Sequence, residues 1–293
     1  SANRISEVLS AEEDITVKEK SEYRNRDTKA HICFEHVSFS YKGKHNNLEN
    51  IHFELPKGGS LGIIGATGMV GQRFALLLCD HPWFNVTALA ASSRSAGKTY
   101  EEAVGNRWVM KTPIPEKIKK TVVLDATLDI EKIASEVDFV FCAVDMKKDE
   151  IRALEEAYAK AEIPVVSNNS AHRWTPDVPM VVPEINPQHF DVIEFQKKRL
   201  GTKKGFVAVK PNCSIQSYTP ALEALKEFGP KEVAVCTYQA ISGAGKTFAD
   251  WPEMVENVIP YIGGEEEKSE LEPLRVWGEV DPEKGEIVPA KAP

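Results

Sequence analysis

The sequence has few of the features that mark a membrane, secreted or zinc protein. It contains no apolar run near the roughly 20 residues that cross a bilayer, and no charged-then-apolar signal peptide opens it. The five cysteines are odd in number and widely spaced, and no two of them form a Cys-x-x-Cys pair, so neither a disulfide framework nor a zinc knuckle is predicted. The seven histidines form no His-x-His or His-Glu-x-x-His pair. We therefore expect a protein of the reducing cytoplasm that needs no metal.

Charge and composition exclude further classes. The chain has 44 acidic and 36 basic residues, a net charge of −8, which would repel nucleic-acid phosphates and anionic lipid. We expect neither nucleic acid nor a membrane as a partner. With 293 residues, of which 42% are hydrophobic, the chain can bury a core. This length predicts about two domains and excludes disorder of the whole chain.

The first segment, residues 1–59, is predicted to be a mostly polar leader. It holds a β-hairpin-like pair of strands at Ile32–Tyr41 and Leu48–Leu55. From Ser60 onward short apolar strands alternate with helices, which is typical of parallel βαβ units. The fold class predicted is therefore α/β, with a doubly wound nucleotide-binding domain over residues 60–185.

A second α/β domain, for substrate binding and dimerisation, is predicted over residues 186–293. The expected elements are a strand at Phe206–Val209, a helix at Ser214–Phe228, a strand at Glu232–Ala240, and helices at Glu253–Val258 and Glu265–Trp277.

A glycine loop, Gly65-Ala66-Thr67-Gly68-Met69-Val70-Gly71, connects the strand Leu61–Ile64 to the following helix. Glycines in this place let the backbone approach a pyrophosphate at the helix N-terminus, although a purely structural turn is the alternative. A Walker A loop needs Lys and Ser/Thr where this chain has Gly71 and Gln72, so ATP binding is not predicted.

The loop after the next strand selects the cofactor. An NAD site usually has an acidic residue there, whereas this chain has Ser92-Ser93-Arg94-Ser95. Hydroxyls and an arginine suit a 2′-phosphate, so NADP is favoured, and a simple polar loop is the alternative. The predicted cofactor-binding residues are Gly65, Thr67, Gly68, Met69, Val70, Gly71, Ser92, Arg94 and Ser95.

Cys213 is the candidate nucleophile. It lies in Lys210-Pro211-Asn212-Cys213-Ser214, between a strand and a helix. A helix N-terminus stabilises a thiolate and offers backbone amides to an oxyanion. Cys79 and Cys142 are interpreted as inert core residues. A nucleophilic cysteine beside an NADP loop predicts aldehyde chemistry through a thioester.

From Gly62 to Pro293 these motifs together resemble aspartate-β-semialdehyde dehydrogenase. Besides the glycine loop and the Pro211–Ser214 nucleophile motif, the matching segments are the 2′-phosphate loop Ser92–Gly97, the phosphate-binding segment Ser167–Arg173, the glutamine strand Thr237–Gly243 and the substrate-binding helix start Glu265–Lys268.

The family reduces β-aspartyl phosphate with NADPH to aspartate semialdehyde and phosphate, an early step towards lysine, threonine and methionine. The resemblance implies a homo-oligomer and a set of roles for named residues. These are the acyl-enzyme nucleophile Cys213, the orienting Gln239, the phosphate ligands Arg173, Asn212 and Lys268, and Glu265 on the substrate amine. Without the resemblance, Arg173, Glu265 and Lys268 would be interpreted as surface charges.

The leader departs from that family. Ala2–Ile15 resembles the linker that enters the nucleotide-binding domain of an ABC exporter. Ile32–Tyr41 and Leu48–Gly65 resemble the first strands of that domain, with Tyr41 where an adenine-stacking aromatic lies. This second resemblance ends at Gly68, so the chain resembles a chimera joined inside the glycine loop.

The family's catalytic histidine, near the C-terminus, has no counterpart here, because the last histidine is His189. Losing a general base slows proton transfer by about 10²- to 10⁴-fold. The resemblance thus predicts a C-terminally truncated enzyme with impaired catalysis and dimerisation. The alternatives are a non-catalytic NADP-binding fragment, an ATP-binding transporter module, or a related acyl-phosphate or acyl-CoA reductase.

Overall fold

The computed structural model describes residues 30–39, 48–56 and 58–291. Contacts divide the chain after Lys57 into two compact units. The first unit contains two antiparallel strands, β1 (Ala30–Phe39) and β2 (Leu48–Pro56), which confirm the predicted hairpin-like pair. Ala2–Ile15 and Tyr41 lie outside the described residues, so the resemblance to an ABC exporter stays a prediction.

Six parallel strands form the centre of the second unit. They are β3 (Gly59–Ile64), β4 (Phe84–Ala91), β5 (Leu124–Asp125), β6 (Phe139–Cys142), β7 (Val165–Ser167) and β8 (Val207–Val209). Their order across the sheet is β5-β4-β3-β6-β7-β8, with every neighbouring pair parallel. This is the strand order of a dinucleotide-binding fold, whose crevice lies where the strand order reverses, between β3 and β6. The predicted doubly wound α/β sheet is confirmed.

Helices connect the strands of the sheet, and two further helices follow its last strand along the chain. They are α1 (Met69–Leu78), α2 (Tyr100–Val104), α3 (Glu116–Lys119), α4 (Ile130–Glu136), α5 (Lys148–Lys160), α6 (Ile193–Leu200), α7 (Cys213–Glu223) and α8 (Glu265–Val276). A short antiparallel pair, β9 (Glu279–Asp281) and β10 (Glu286–Val288), follows α8. In the described ranges, no helix has both the length and the apolar character needed to cross a bilayer.

The sheet is covered on both faces at the carboxyl ends of its central strands, where residues 61–64 of β3 and residues 88–91 of β4 are all buried. Successive side chains of a strand point to opposite faces. Ile63 therefore packs into one buried cluster, with Leu89 and Tyr100, while Ile64 packs into the other, with Val140. The two clusters hold the carboxyl ends of β3, β4 and β6 in place, where the glycine loop and its neighbours begin.

Two predicted elements of the second domain are wrong. Glu232–Ala240 is not a strand, because no strand in the described part of the chain pairs with it, and an unpaired strand leaves its amides unbonded. Glu253–Val258 is not an α-helix and contains only part of the 3₁₀ turn Pro252–Met254. The helix predicted at Ser214–Phe228 is α7, which ends at Glu223, three residues after the proline in its last turn.

The predicted helix at Glu265–Trp277 is confirmed as α8. The strand predicted at Phe206–Val209 is β8, which forms the outer edge of the parallel sheet rather than part of a separate layer. Consequently the first domain's sheet takes a strand from beyond residue 185, and the boundary between 185 and 186 stays a prediction.

Candidate active site

The glycine loop is shaped by contacts that only glycine permits. Gly65 has a φ of +88°, and a Cβ there would lie 2.4 Å from the carbonyl oxygen of Ala143. A Cβ on Gly71 would lie 2.1 Å from the carbonyl oxygen of Gly65. The amide of Gly68 donates to that same oxygen at 3.1 Å. The loop thus brings the start of α1 against the ends of β3 and β6, at the crevice of the sheet.

Gln72 occupies the position at which a Walker A loop has Ser or Thr, and its side chain supports the glycine loop. Its side chain is 2% exposed. Its Nε2 donates to the carbonyls of Thr67, at 3.0 Å, and Arg107, at 2.8 Å, and its Oε1 accepts from the amide of Val109 at 3.0 Å. The carboxamide therefore joins the glycine loop to the chain that follows the 3₁₀ turn Gly105–Arg107.

The loop after β4 contains the predicted 2′-phosphate ligands. Ser92 and Arg94 are exposed at the carboxyl end of the strand. Ser95, in contrast, is 5% exposed, and its amide donates to the carbonyl of Ser92 at 2.8 Å in a turn. Only the first two of these side chains are therefore presented to solvent.

The candidate nucleophile lies where the sequence predicts it, at the beginning of a helix. Cys213 is the first residue of α7 and is exposed. Asn212 caps the helix, since its Oδ1 accepts from the amide of Ser214 at 2.8 Å. An open groove of about 570 Å³ begins at Cys213 and is also lined by Cys236, Gln239 and Gly243.

Glu265, at the start of α8, brings three of the other predicted site residues together, namely Asn212, Gln239 and Lys268. Its Oε1 accepts from Ser214 Oγ at 2.6 Å and from Gln239 Nε2 at 3.0 Å. Its Oε2 accepts from Asn212 Nδ2 at 3.0 Å and lies 3.5 Å from Lys268 Nζ. One carboxylate thus joins the two residues that flank Cys213 to the glutamine segment and to α8.

The same contacts set the ionisation of Glu265. Burial raises the pKa of this carboxyl, but hydrogen bonds from Ser214 and Gln239, the charge of Lys268 and the bond from Asn212 outweigh it, so the pKa is lowered overall. Glu265 is therefore ionised at neutral pH and places a negative charge beside the groove.

A buried ion pair lies behind the nucleophile turn. Arg173 Nη1 is 2.9 Å from Glu272 Oε1, and both side chains are almost fully buried. The second oxygen of Glu272 accepts from the backbone amide of Asn212 at 2.7 Å. Arg173 Nε also donates to the carbonyl of Lys210 at 3.1 Å. Two of the three guanidinium nitrogens of Arg173, a predicted phosphate ligand, are therefore bonded within the protein.

Sequence reasoning missed Glu272, although a signal was present. It lies seven residues after Glu265, two helical turns along the same face of α8. Two of the described histidines, His172 and His189, are almost fully buried. His189 is hydrogen-bonded between Asn186 and the carbonyl of Gly278, and His172 contacts Thr175. Among the described residues, no hydrogen bond joins either of these histidines to Cys213.

Of the described cysteines, Cys142 is buried and Cys79 is half-buried, as expected for core residues. Burial raises the pKa of both thiols. In the described part of the chain, no group of three His, Cys, Asp or Glu residues could hold a metal ion.

Comparisons with known proteins agree with this geometry. Residues 60–193 match the family described as semialdehyde dehydrogenase, NAD binding domain. The chain is 44% identical over 222 residues to the aspartate-semialdehyde dehydrogenase of Aspergillus fumigatus, covering 75% of this chain and 59% of that protein. It is 40% identical over 237 residues to that of Archaeoglobus fulgidus, covering 79% and 65%.

A solved structure is also similar. The crystal structure of aspartate-semialdehyde dehydrogenase with NADP from Candida albicans superposes with a TM-score of 0.67 at 38% identity, covering 80% of this chain and 64% of that chain.

Residues 60–193 therefore combine the strand order and glycine loop of a dinucleotide-binding fold with a match to the semialdehyde dehydrogenase NAD binding domain. Over the part that aligns, the chain is similar to aspartate-semialdehyde dehydrogenases. It spans 59–65% of the length of the two curated relatives given above.

Proposed function

We propose that the chain carries the NADP-dependent aspartate-semialdehyde dehydrogenase activity, the reduction of β-aspartyl phosphate to aspartate semialdehyde and phosphate. The observation that carries this proposal is the placement of Cys213. It is exposed at the N-terminus of α7, and Asn212, Ser214 and Gln239 are all bonded to one carboxylate beside it.

The reaction follows from that arrangement in two stages. The thiolate of Cys213 attacks the acyl carbon, the carbon–oxygen bond to phosphate breaks, and phosphate leaves with the electron pair. NADPH, when bound, supplies the hydride that reduces the resulting thioester. The carbon–sulfur bond then breaks, which regenerates the thiolate and releases the aldehyde. Amides at the start of α7 are suited to hold the negative charge that forms on the acyl oxygen.

The remaining roles are proposed from charge and position. Glu265 is ionised and suits the ammonium of the substrate. Gln239, which lines the same groove as Cys213, orients the acyl-enzyme. Arg173, Asn212 and Lys268 contribute to phosphate binding around the nucleophile turn.

For the cofactor, the glycine loop fits a pyrophosphate because its backbone leaves no room for a Cβ at Gly65 or Gly71. We propose that the backbone of the loop binds it together with Thr67, Met69 and Val70, and that Ser92 and Arg94 bind the 2′-phosphate, with Ser95 supporting their turn.

We further propose a homo-oligomer formed through residues 186–293 and a nucleotide-binding domain over residues 60–185, both suggested by the resemblance to the family. Cysteine usage supports the proposal of a cytoplasmic enzyme. The leader, residues 1–59, is proposed to be related to an ABC-exporter domain on its own, separate resemblance.

The test is phosphate-dependent formation of NADPH from aspartate semialdehyde and NADP⁺, followed by absorbance. Cys236→Ala is the matched control, because Cys236 is also exposed in the same groove. We expect Cys213→Ala to abolish the signal and Cys236→Ala to keep it.

Binding of NADP without turnover in the folded protein would instead favour a non-catalytic NADP-binding fragment. Calorimetry with Mg²⁺-ATP addresses the transporter alternative, and we expect no binding of ATP.

A further inference from the structure

The cations around Cys213 differ in how far their charge is already neutralised. Arg173 is paired with Glu272 at 2.9 Å in a buried contact. Lys268 is 3.5 Å from Glu265. Each of these two predicted phosphate ligands therefore has a carboxylate of α8 beside it, and an incoming phosphate would have to compete with that carboxylate.

Lys210 is a third cation in this cluster, and no role was predicted for it. It follows β8 directly and precedes Cys213 by three residues. Its side chain is half-buried, and its Nζ donates to the carbonyl of Pro211 at 3.1 Å. Among the described residues, no carboxylate lies within salt-bridge distance of it. Its own carbonyl is held by Arg173 Nε, which fixes the backbone from which the side chain extends.

The electrostatic surroundings connect this ammonium with the nucleophile. Burial and the neighbouring Arg173 lower the pKa of Lys210, while the charges of a Cys213 thiolate and of Glu272 raise it. A cation partly removed from water, with only a neutral carbonyl as its bonded partner, gains most from an anion that enters its surroundings.

We propose that Lys210 is a phosphate-binding residue of this site, and that its ammonium holds the phosphate that leaves from, or attacks at, the acyl group on Cys213. This inference rests on the proposed function for the identity of the reaction. The binding of a phosphate anion beside Cys213 can be measured without turnover.

The test is protection of Cys213 from alkylation by iodoacetamide, quantified on its peptide by mass spectrometry at increasing concentrations of inorganic phosphate. Lys210→Met removes the charge and keeps the aliphatic stem, and Lys210→Arg keeps the charge. The matched control is Lys132→Met, at an exposed lysine on α4 that forms no ion pair with the described residues.

We expect phosphate to protect Cys213 in the wild-type protein and in Lys132→Met. In Lys210→Met the phosphate concentration for half protection should rise about 10- to 100-fold, as for loss of one hydrogen bond to a charged group. Lys210→Arg should restore it to within about threefold. Affinity for NADP and the melting temperature should stay unchanged, which separates a binding role from a structural one.

Turnover assays then distinguish the two proposals. If the wild-type chain forms no NADPH but Lys210→Met still loses protection, the anion site stands and the proposed function fails. If NADPH forms with an unchanged KM for phosphate in Lys210→Met, and protection is also unchanged, the role of Lys210 is refuted while the proposed function stands.

Discussion

Glu272→Gln probes the buried ion pair behind the nucleophile turn. The substitution keeps the shape of the side chain but leaves the Arg173 guanidinium without a counter-charge. The two side chains are 2% and 7% exposed, so solvent screens the pair weakly. Removing one partner of a buried pair costs about 3–5 kcal/mol. With a urea m-value of about 3 kcal/mol/M, the unfolding midpoint should fall by roughly 1 to 1.7 M.

Urea unfolding followed by tryptophan fluorescence measures this shift. Glu270→Gln, an exposed glutamate on the same helix, is the matched control and should change the unfolding free energy by less than about 0.5 kcal/mol. Arg173→Met combined with Glu272→Met should cost less than the sum of the single changes, because the two charges leave together. The reasoning is refuted if Glu272→Gln is as mild as Glu270→Gln, or if the double change is additive.

Three further predictions concern the cofactor loop and the buried polar groups. Gly71→Ala should lower the unfolding free energy by about 2–3 kcal/mol, because the new Cβ would lie 2.1 Å from the carbonyl oxygen of Gly65. A Cβ on Gly68 would lie 3.5 Å from the same oxygen, so Gly68→Ala should lower the unfolding free energy by less than about 1 kcal/mol. Gln72→Ala removes three hydrogen bonds and should weaken NADP binding in calorimetry, with kcat little changed. Burial lowers the pKa of His189 in the folded protein. As the pH falls, the unfolded chain therefore binds a proton at this histidine before the folded protein does, and the free energy of unfolding decreases below about pH 6.5. His189→Gln should therefore flatten the fall in melting temperature between about pH 7 and 5, and an unchanged profile would contradict this.

The sequence predicted the elements whose signals are local. Apolar runs such as Leu61–Ile64 predicted strands, and the glycines at 65, 68 and 71 predicted the turn that connects a strand to a helix. Together these local signals predicted the doubly wound α/β class, while the order of the strands came only from the structure. The start of α7 could be predicted because Asn212 is a preferred helix cap and lies three residues after the end of a strand.

Other features could not be predicted, since they depend on distant partners. Glu232–Ala240 has the composition of a strand, but strand formation also requires a neighbour with which to pair. The Arg173–Glu272 contact joins residues 99 positions apart, and no local pattern encodes such a pair. Lys210 was overlooked because its significance comes from the carboxylates that neutralise the cations around it.

The central claim, that Cys213 forms the covalent intermediate, can be tested by trapping it. The protein is mixed with aspartate semialdehyde and NADP⁺ without phosphate, quenched in acid, and digested for mass spectrometry. The account predicts one aspartyl group, as a thioester, on the Cys213 peptide, removed when phosphate is added before the quench. An aspartyl group on Cys236 instead, or NADPH formation with an unmodified and dispensable Cys213, would contradict it.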